Sequence, residues 1–336
     1  MVRLWLALSF SLLLCCSSSG GNDAEVPGGP EAIARNLVVP WALDFLPNGE
    51  IIFTERSGDM GLITNGSIRS VGTIDVLATG ESGLLGIAVD PAFNESGFVY
   101  VYYTVGDGQM RNRVSRFTLD EELVDEVVLL DSIPASSIHN GGRIHFGPDA
   151  LLYITTGDAG DPSRSGDTAN LGGKILRMRP NGSVPQDNPF GNYVFALGLR
   201  NPQGLAWHGT RLYATDHGPT RLDRILRIEK GVDYGWPQTC TEIPAFKCYT
   251  DFTLAPSGAA IIGDVLYVAG LRGQQLRAVN LVTGTETMYL TDLGRLRGVV
   301  ARDGFLYITT SNRDGRGEPQ ADDDRILRVL ADSLRD

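Results

Sequence analysis

One pattern recurs six times along the chain: two apolar stretches joined by a turn that contains glycine or proline. Four copies align well and two earlier copies are looser. The four begin at Arg143 (RIHFGPDALLYITTGD), Pro202 (PQGLAWHGTRLYATDHG), Gly258 (GAAIIGDVLYVAG) and Arg297 (RGVVARDGFLYITTSN). Repeats spaced by about 40–60 residues are typical of radial or solenoid folds, and strand-rich units with tight turns favour a propeller over a helical array. The sequence therefore predicts an all-β fold, a six-bladed β-propeller with four-stranded antiparallel blades.

A third strand is expected after several of these hairpins. The segments KILRM, RILRI and RILRV, which begin at Lys174, Arg224 and Arg325, are near copies of one another. A chain of 336 residues often forms two domains, but one closed propeller accounts for the whole length. We expect a single propeller domain over residues 36–332.

The amino-terminal segment differs in composition from the repeats. Leu4–Cys16 is a 13-residue apolar stretch, which is short for a membrane span and typical of a signal peptide. We expect residues 1–20 to be a signal peptide and residues 21–35 to be a flexible polar tether. Both expectations indicate export to the periplasm or the extracellular space.

The chain contains four cysteines. For the first two, the alternatives are lipid attachment at Cys15 or Cys16, which would be the protein's one membrane contact, and ordinary cleavage near Gly20. Cys240 and Cys248 lie close together in sequence, and in an oxidising compartment this spacing indicates a local disulfide. A metal or redox pair is the alternative, although no further cysteine and no nearby histidine supports it.

The charge of the chain limits its partners. The formal net charge of −11 argues against a nucleic-acid partner, because phosphate binding relies on clustered Lys and Arg. Against this acidic background, Arg200, Arg272, Arg295 and Arg297 all fall at strand ends that a propeller places on one rim. Guanidinium groups suit carboxylates, so the cluster predicts a polyanionic small molecule at the mouth of the channel. The alternative is that each arginine pairs with a local Asp or Glu.

Residues equally distant from a hairpin turn lie opposite each other. His139 and Asp158 flank the third turn at equal distances, and Asn201 and His217 do the same at the fourth. We therefore expect each pair to meet at the open end of its hairpin. An imidazole held by a carboxylate is positioned as a general base, and this is the role predicted for His139.

Gly218–Pro219 forms a predicted tight turn that leaves backbone carbonyls unpaired. Such carbonyls suit a hard cation such as Ca²⁺, and a turn without a ligand is the alternative. No glycine-rich phosphate cradle, nucleophile elbow or HExxH motif occurs in the sequence, which disfavours nicotinamide binding on a Rossmann fold, hydrolases built on a nucleophile elbow and HExxH metalloproteases.

The motifs together resemble a known family. HNGGRIHFGPDALLYITTGD, with ESGLLGIAVDP, GLRNPQGLAW, DHGP, DYGWP, APSG and SNRDGRG, is similar to the soluble pyrroloquinoline quinone (PQQ)-dependent aldose sugar dehydrogenases of the glucose/sorbosone dehydrogenase group. The resemblance runs from about Leu37 to Leu330. It implies PQQ over the central channel, bound Ca²⁺, and oxidation of aldose sugars at C1 to lactones, with electrons passed to an external acceptor, either a quinone or a small redox protein.

The resemblance also implies roles for single residues. By motif position, His139 matches the general base, which takes a proton while C1 transfers hydride to C5 of PQQ, and Asp158 matches its supporting carboxylate. The matched cofactor contacts are Arg200, Asn201, Arg295 and Arg297. The matched Ca²⁺ ligands are the carbonyls of Gly218 and Pro219.

The sequence departs from the best-known glucose dehydrogenases at several matched positions. Glu81 and His217 each stand where those enzymes have glutamine, and Arg272 stands where a lysine meets the cofactor; all three are expected cofactor-binding residues. Asp223-Arg224 lacks the second acidic residue of an interface calcium site, so a monomer is expected rather than a calcium-bridged dimer. Short loops predict an open site and broad aldose acceptance.

Two other functions are compatible with a six-bladed propeller. One is a calcium-dependent lactonase, which needs a cation held by side-chain carboxylates and a metal-activated water. The other is a non-catalytic propeller that binds a saccharide or a protein, because a fold alone does not determine a function.

Overall fold

The computed structural model describes residues 29–106, 108–238 and 245–334. Within these ranges, 24 strands form six sheets of four antiparallel strands each. This arrangement confirms the predicted six-bladed β-propeller. We number the blades in the order of their innermost strands along the chain.

The strands of each blade, from the central channel outwards, are as follows. Blade 1 contains β2 (Pro40–Phe45), β3 (Ile51–Glu55), β4 (Asp59–Thr64) and β5 (Ser67–Thr73). Blade 2 contains β6 (Leu84–Val89), β7 (Phe98–Val105), β8 (Arg111–Leu119) and β9 (Leu123–Pro134). Blade 3 contains β10 (Ile144–Phe146), β11 (Leu152–Thr156), β12 (Lys174–Met178) and β13 (Val194–Ala196). Blade 4 contains β14 (Pro202–His208), β15 (Arg211–Asp216), β16 (Asp223–Ile228) and β17 (Lys247–Tyr249). Blade 5 contains β18 (Pro256–Ile262), β19 (Val265–Gly270), β20 (Gln275–Asn280) and β21 (Glu286–Tyr289). Blade 6 contains β22 (Leu296–Arg302), β23 (Phe305–Thr310), β24 (Ile326–Leu330) and, outermost, β1 (Glu31–Ala34).

Helical structure in the described ranges is confined to short turns between strands. These are α1 (Phe93–Ser96), α2 (Ser163–Gly166) and a 3₁₀ turn at Ala331–Leu334. Because each blade buries both faces against its neighbours, a strand can be buried along its whole length, as in β11 and β12, where every residue is buried. The innermost strands contact those of the adjacent blades and close the ring around a channel.

The amino-terminal strand closes the propeller and moves the expected domain boundary. We expected a flexible tether as far as residue 35, but Glu31–Ala34 pairs antiparallel with β24, Glu31 lying opposite Arg328. The two side chains form an ion pair, with Nη2 of Arg328 2.5 Å from the carboxylate. The physical reason is that the carboxyl-terminal end of the chain supplies three strands to blade 6, so the exposed edge of β24 takes its fourth strand from the other end.

The predicted signal peptide, most of the predicted tether, and Cys15, Cys16 and Cys240 lie outside the described residues. The Cys240–Cys248 bond therefore stays a prediction. No helix in the described ranges is both long enough and apolar enough to cross a membrane.

Candidate active site

The predicted site residues lie at one end of the propeller, which we call the upper rim. It is the end at which the innermost strand of each blade begins and the second strand finishes. His139, Asn201 and Arg295 lie just before the innermost strands of blades 3, 4 and 6, while Asp158, His217 and Arg272 follow the second strands of blades 3, 4 and 5. The hairpin geometry predicted from the sequence is thus confirmed.

His139 and Asp158 form a hydrogen-bonded couple. Nδ1 of His139 lies 2.7 Å from Oδ1 of Asp158, and the Asp158 side chain is 1% exposed. The same carboxylate accepts hydrogen bonds from the amide of Gly160 and from Nε1 of Trp236, each at 2.8 Å. Burial alone would raise the pKa of Asp158, but the hydrogen bonds from His139 and Gly160, with that from Trp236, outweigh it and lower the pKa. Asp158 is therefore ionised and holds the imidazole in one orientation.

The backbone of His139 is held in an unusual conformation. Its φ angle is +56°, in the left-handed region that side-chain-bearing residues rarely occupy. The amide of His139 donates to Oε2 of Glu81 at 3.0 Å, and its carbonyl accepts from Ala159 at 3.1 Å. A Cβ at Gly157 would lie 1.9 Å from the His139 carbonyl oxygen, so only glycine permits this close approach. Strain of this kind clusters at functional sites.

Glu81 links the blades across the upper rim. Its carboxylate accepts from Nδ2 of Asn201 at 3.4 Å and pairs with Nη1 of Arg316 at 2.9 Å. Burial opposes ionisation, yet the His139 amide, His217 and Arg316 together lower the pKa of Glu81. Because residues of blades 3, 4 and 6 all act on it, this carboxylate lies close to the propeller axis.

Asn201 is fully engaged with the protein. Its Oδ1 accepts from the backbone amide of Gly141 at 3.0 Å, and its backbone N–H donates to Oδ1 of Asp216 at 2.7 Å. The side chain thereby ties blade 4 to the segment that carries His139. Its backbone carbonyl also accepts from the amide of His217 at 3.3 Å, so the second predicted pair is brought together as well.

The four predicted arginines have different environments. Arg295 and Arg297 are buried and share the carboxylate of Asp314, at 2.8 Å and 3.1 Å. Burial would raise the pKa of Asp314, but the charges of Arg297 and Arg295 lower it. Two guanidiniums facing one carboxylate leave this corner net positive.

Arg200 and Arg272 are not paired in this way. The Arg200 guanidinium lies 5.4 Å from the centre of the Trp236 ring and donates to the carbonyl of His217 at 3.3 Å. Arg272 is exposed, and no ion pair of residues 29–106, 108–238 or 245–334 includes it. Pairing with a local acid, the alternative considered from the sequence, thus holds for two of the four arginines.

The turn after His217 has the properties expected of a carbonyl cation site. Neither the Gly218 nor the Pro219 carbonyl accepts a backbone hydrogen bond from the described residues. A Cβ at Gly218 would lie 2.0 Å from the carbonyl oxygen of Arg221, so this tight turn requires glycine. The amide of Gly218 donates to Asp223 at 2.8 Å. Groups of three or more acidic, His or Cys side chains suited to a metal do not occur in the described part of the chain. A cation here would be held mainly by carbonyl oxygens.

His217 itself is a neutral donor or acceptor at this turn. Burial lowers its pKa despite the opposing charges of Asp223 and Glu81. Its Nε2 is buried without a hydrogen-bond partner among the described residues. This orphaned nitrogen is suited to a ligand atom.

Sequence reasoning missed several residues of the site. Trp236, Asp314 and Arg316 belong to the motifs DYGWP and SNRDGRG, but nothing in those motifs indicated which partners they contact. Asp216 was also missed. It is buried, pairs with Nη2 of Arg224 at 2.5 Å and caps the backbone of the Arg200 segment. Its position at the end of a strand was the only available signal.

The family model for glucose/sorbosone dehydrogenases matches residues 37–328. The chain belongs to this glucose/sorbosone dehydrogenase family. Aldose sugar dehydrogenase YliI of Escherichia coli is 30% identical over 358 aligned positions, covering 91% of this chain and 96% of that protein. Quinoprotein glucose dehydrogenase B of Acinetobacter calcoaceticus is 33% identical, but the match covers 62% of this chain and 52% of that protein.

The similarity to a solved structure covers most of this chain. The PQQ-bound aldose sugar dehydrogenase of Streptomyces coelicolor is 35% identical, with a TM-score of 0.85, and the match covers 90% of this chain and 99% of that one. The resemblance derived from the sequence motifs is therefore confirmed at the level of family and fold.

Proposed function

We propose that this protein oxidises aldose sugars at C1 to the corresponding lactones, with PQQ and Ca²⁺ as cofactors. The observation that carries the proposal is the His139–Asp158 couple, placed on the same rim as a cluster of guanidinium groups. The family membership and the PQQ-bound relative support it. An external acceptor, either a quinone or a small redox protein, then receives the electrons.

His139 acts as the general base through Nε2. Because the ionised Asp158 carboxylate can only accept a hydrogen bond from Nδ1 of His139, Nδ1 carries the proton and Nε2 keeps its lone pair. Nε2 removes the proton from the anomeric hydroxyl, and the Asp158 carboxylate stabilises the imidazolium that forms. Glu81 and the glycine at position 157 fix the backbone of His139, and Asp158 holds its ring.

The upper rim fits both cofactors. The arginine-rich corner around Arg295 and Arg297 suits the carboxylates of PQQ, and Arg200 and Asn201 lie beside the base. The carbonyls of Gly218 and Pro219, which accept no backbone hydrogen bond from the described residues, suit Ca²⁺, and His217 lines the same pocket as this turn. When bound, the quinone supplies the redox chemistry by accepting the hydride from C1.

The decisive experiment adds PQQ and Ca²⁺ to the purified protein and follows dye reduction with a panel of aldoses. We expect turnover with several sugars and loss of turnover on chelation of Ca²⁺. His139→Ala should bind PQQ, as followed by its absorbance, but lose most turnover. Absence of dye reduction across all sugars, with no change in PQQ absorbance, would remove the proposal.

The same preparation separates the other two functions. Lactone hydrolysis in Ca²⁺ without quinone would indicate a lactonase, and saccharide binding without any turnover would indicate a binding propeller. Broad acceptance of aldoses follows from the short loops. A single sugar that exceeded all others by orders of magnitude would contradict that part of the proposal.

A further inference from the structure

Arg143 is a buried arginine that the proposed reaction does not use. It precedes β10 and is 8% exposed. Its guanidinium reaches across the channel from blade 3 to blade 1, where its central carbon lies 4.3 Å from the centre of the Trp41 ring. Arg143 and Trp41 therefore bring blades 3 and 1 into contact inside the ring.

The charge of Arg143 has no acidic partner within the described part of the chain. Its Nε donates to the carbonyl of Gln203 at 3.0 Å, but its Nη2 is buried without a partner among the described residues. No ion pair of the described chain includes it. Burial and the neighbouring charge of Arg297 lower the pKa of Arg143 to about 9. A buried, unpaired charge is costly unless an opposite charge is supplied.

Arg143 is one of the residues that line a cavity in the central channel. The volume of this cavity is about 170 Å³, and its walls come from the innermost strands of all six blades. The lining residues Asp44, Trp207 and Ala301 lie in the far halves of β2, β14 and β22, so the cavity extends away from His139. A space of this size holds several water molecules, and therefore also a small hydrated ion.

The remaining groups of the cavity leave room for a negative charge near Arg143. Each innermost strand has a neighbour on one side, so its other edge presents backbone amides to the channel. Asp44 also lines the cavity, but its carboxylate accepts from the amides of Val89 and Phe45, each at 2.8 Å. It does not pair with Arg143.

We propose that Arg143 binds a small monovalent inorganic anion, of the size of a halide, in the central channel beneath the candidate active site. The anion compensates the guanidinium of Arg143 and stabilises the closed ring. The site is separate from the proposed PQQ site, because the cavity is lined by the far halves of the innermost strands, away from the upper rim. The proposal does not rest on the oxidoreductase activity.

The first test is thermal unfolding of the purified, PQQ-free protein. Sodium bromide or chloride is titrated against sodium gluconate at constant ionic strength. We expect a saturable rise in Tm with the halides, of at least about 2 °C at large excess over the dissociation constant, and none with gluconate. Equal Tm values in halide and gluconate would overturn the proposal.

The matched variants are Arg143→Met and Arg116→Met. Arg116 also stacks on a ring, with its guanidinium 3.9 Å from the centre of Phe98, but it lies in β8, away from the channel. Arg143→Met should lose the halide response and Arg116→Met should keep it. A halide response that survives in Arg143→Met would exclude Arg143 as the ligand.

Bromide-soaked crystals of the unaltered protein test the site without any substitution. An anomalous peak beside the Arg143 guanidinium is expected, and its absence from the cavity would overturn the proposal even if Arg143→Met failed to fold. Repeating the halide titration on protein loaded with PQQ separates the two sites. If PQQ abolished the halide response, the anion would belong to the cofactor site and the claim of a separate site would be wrong.

Discussion

The substitution Asp158→Asn tests the proposed base most sharply, because the carboxylate serves three donors at once. His139 and Gly160 donate to Oδ1, and Trp236 donates to Oδ2. An asparagine has one acceptor oxygen. If that oxygen faces His139 and Gly160, the new amide meets the Trp236 N–H, donor against donor. If the side chain turns around, the amide faces His139 and forces the imidazole into the wrong tautomer.

The two orientations have different costs. In the first, the Trp236 N–H stays buried without a partner, which costs about 1–3 kcal/mol. In the second, Nε2 of His139 carries the proton and cannot act as a base, which lowers the rate by about 10²–10⁴-fold. Because the second orientation also turns the new amide toward the Gly160 N–H, neither orientation avoids a donor–donor contact, and we expect Asp158→Asn to lose more than about 10-fold in kcat while retaining PQQ.

A second substitution makes the prediction stricter. Trp236→Phe removes the competing donor, so asparagine at 158 can direct its oxygen to His139. A neutral hydrogen bond then replaces a charged one, a difference of about 1–2 kcal/mol or about 5–30-fold in rate. Two losses of kcat are compared: that caused by Asp158→Asn in the Trp236→Phe background and that caused by Asp158→Asn in the unaltered protein. The first loss should be the smaller. Equal impairment in both backgrounds, or an Asp158→Asn kcat within twofold of normal, would refute the reasoning.

Three further changes have defined outcomes. Gly157→Ala should lower the free energy of unfolding, measured in urea, by more than about 2 kcal/mol and reduce turnover, because its Cβ would lie 1.9 Å from the His139 carbonyl oxygen. The control is Gly166→Ala, whose Cβ would have no atom within 4 Å and which should change the unfolding free energy little. Lys174→Met should cost about 2–4 kcal/mol by the same measurement, because the buried amino group donates to three loop carbonyls at 2.6–3.0 Å. The lowered pKa of Asp314 stabilises the fold fully above its unfolded-state pKa of about 4, and this stabilisation is lost as pH falls from there through the lower folded-state pKa. Asp314→Asn should flatten this acid dependence, and an unchanged profile would contradict it.

Much of the site could be predicted because counting residues from a hairpin turn shows which residues lie opposite each other. Once a turn is placed, antiparallel pairing fixes which residues lie opposite each other. The sequence alone therefore predicted that His139 lies beside Asp158 and Asn201 beside His217. The repeated hairpins also determined the number of blades, since each unit buries its faces only against copies of itself.

Closure of the ring could not be predicted in the same way. Glu31–Ala34 is a four-residue strand that follows a polar, glycine-rich segment. Nothing in the sequence of these four residues separates them from that segment. It is ordered as a strand because the free edge of β24 is available to pair with it. Such a partner becomes visible only when the last blade lacks a strand. The tether expectation was therefore wrong at its carboxyl-terminal end, for a tertiary reason.

Asp314 shows the same limit within the site itself. It lies in the long connection between β23 and β24, where no periodicity relates it to Arg295 or Arg297. Local reasoning treated the two arginines as cofactor ligands or as separate ion pairs, yet one carboxylate serves both. This shared arrangement leaves one positive charge uncompensated at the rim, and Arg143 adds another within the channel. A cationic axis in a protein of net charge −11 makes anion binding a property of the propeller's centre rather than of its surface.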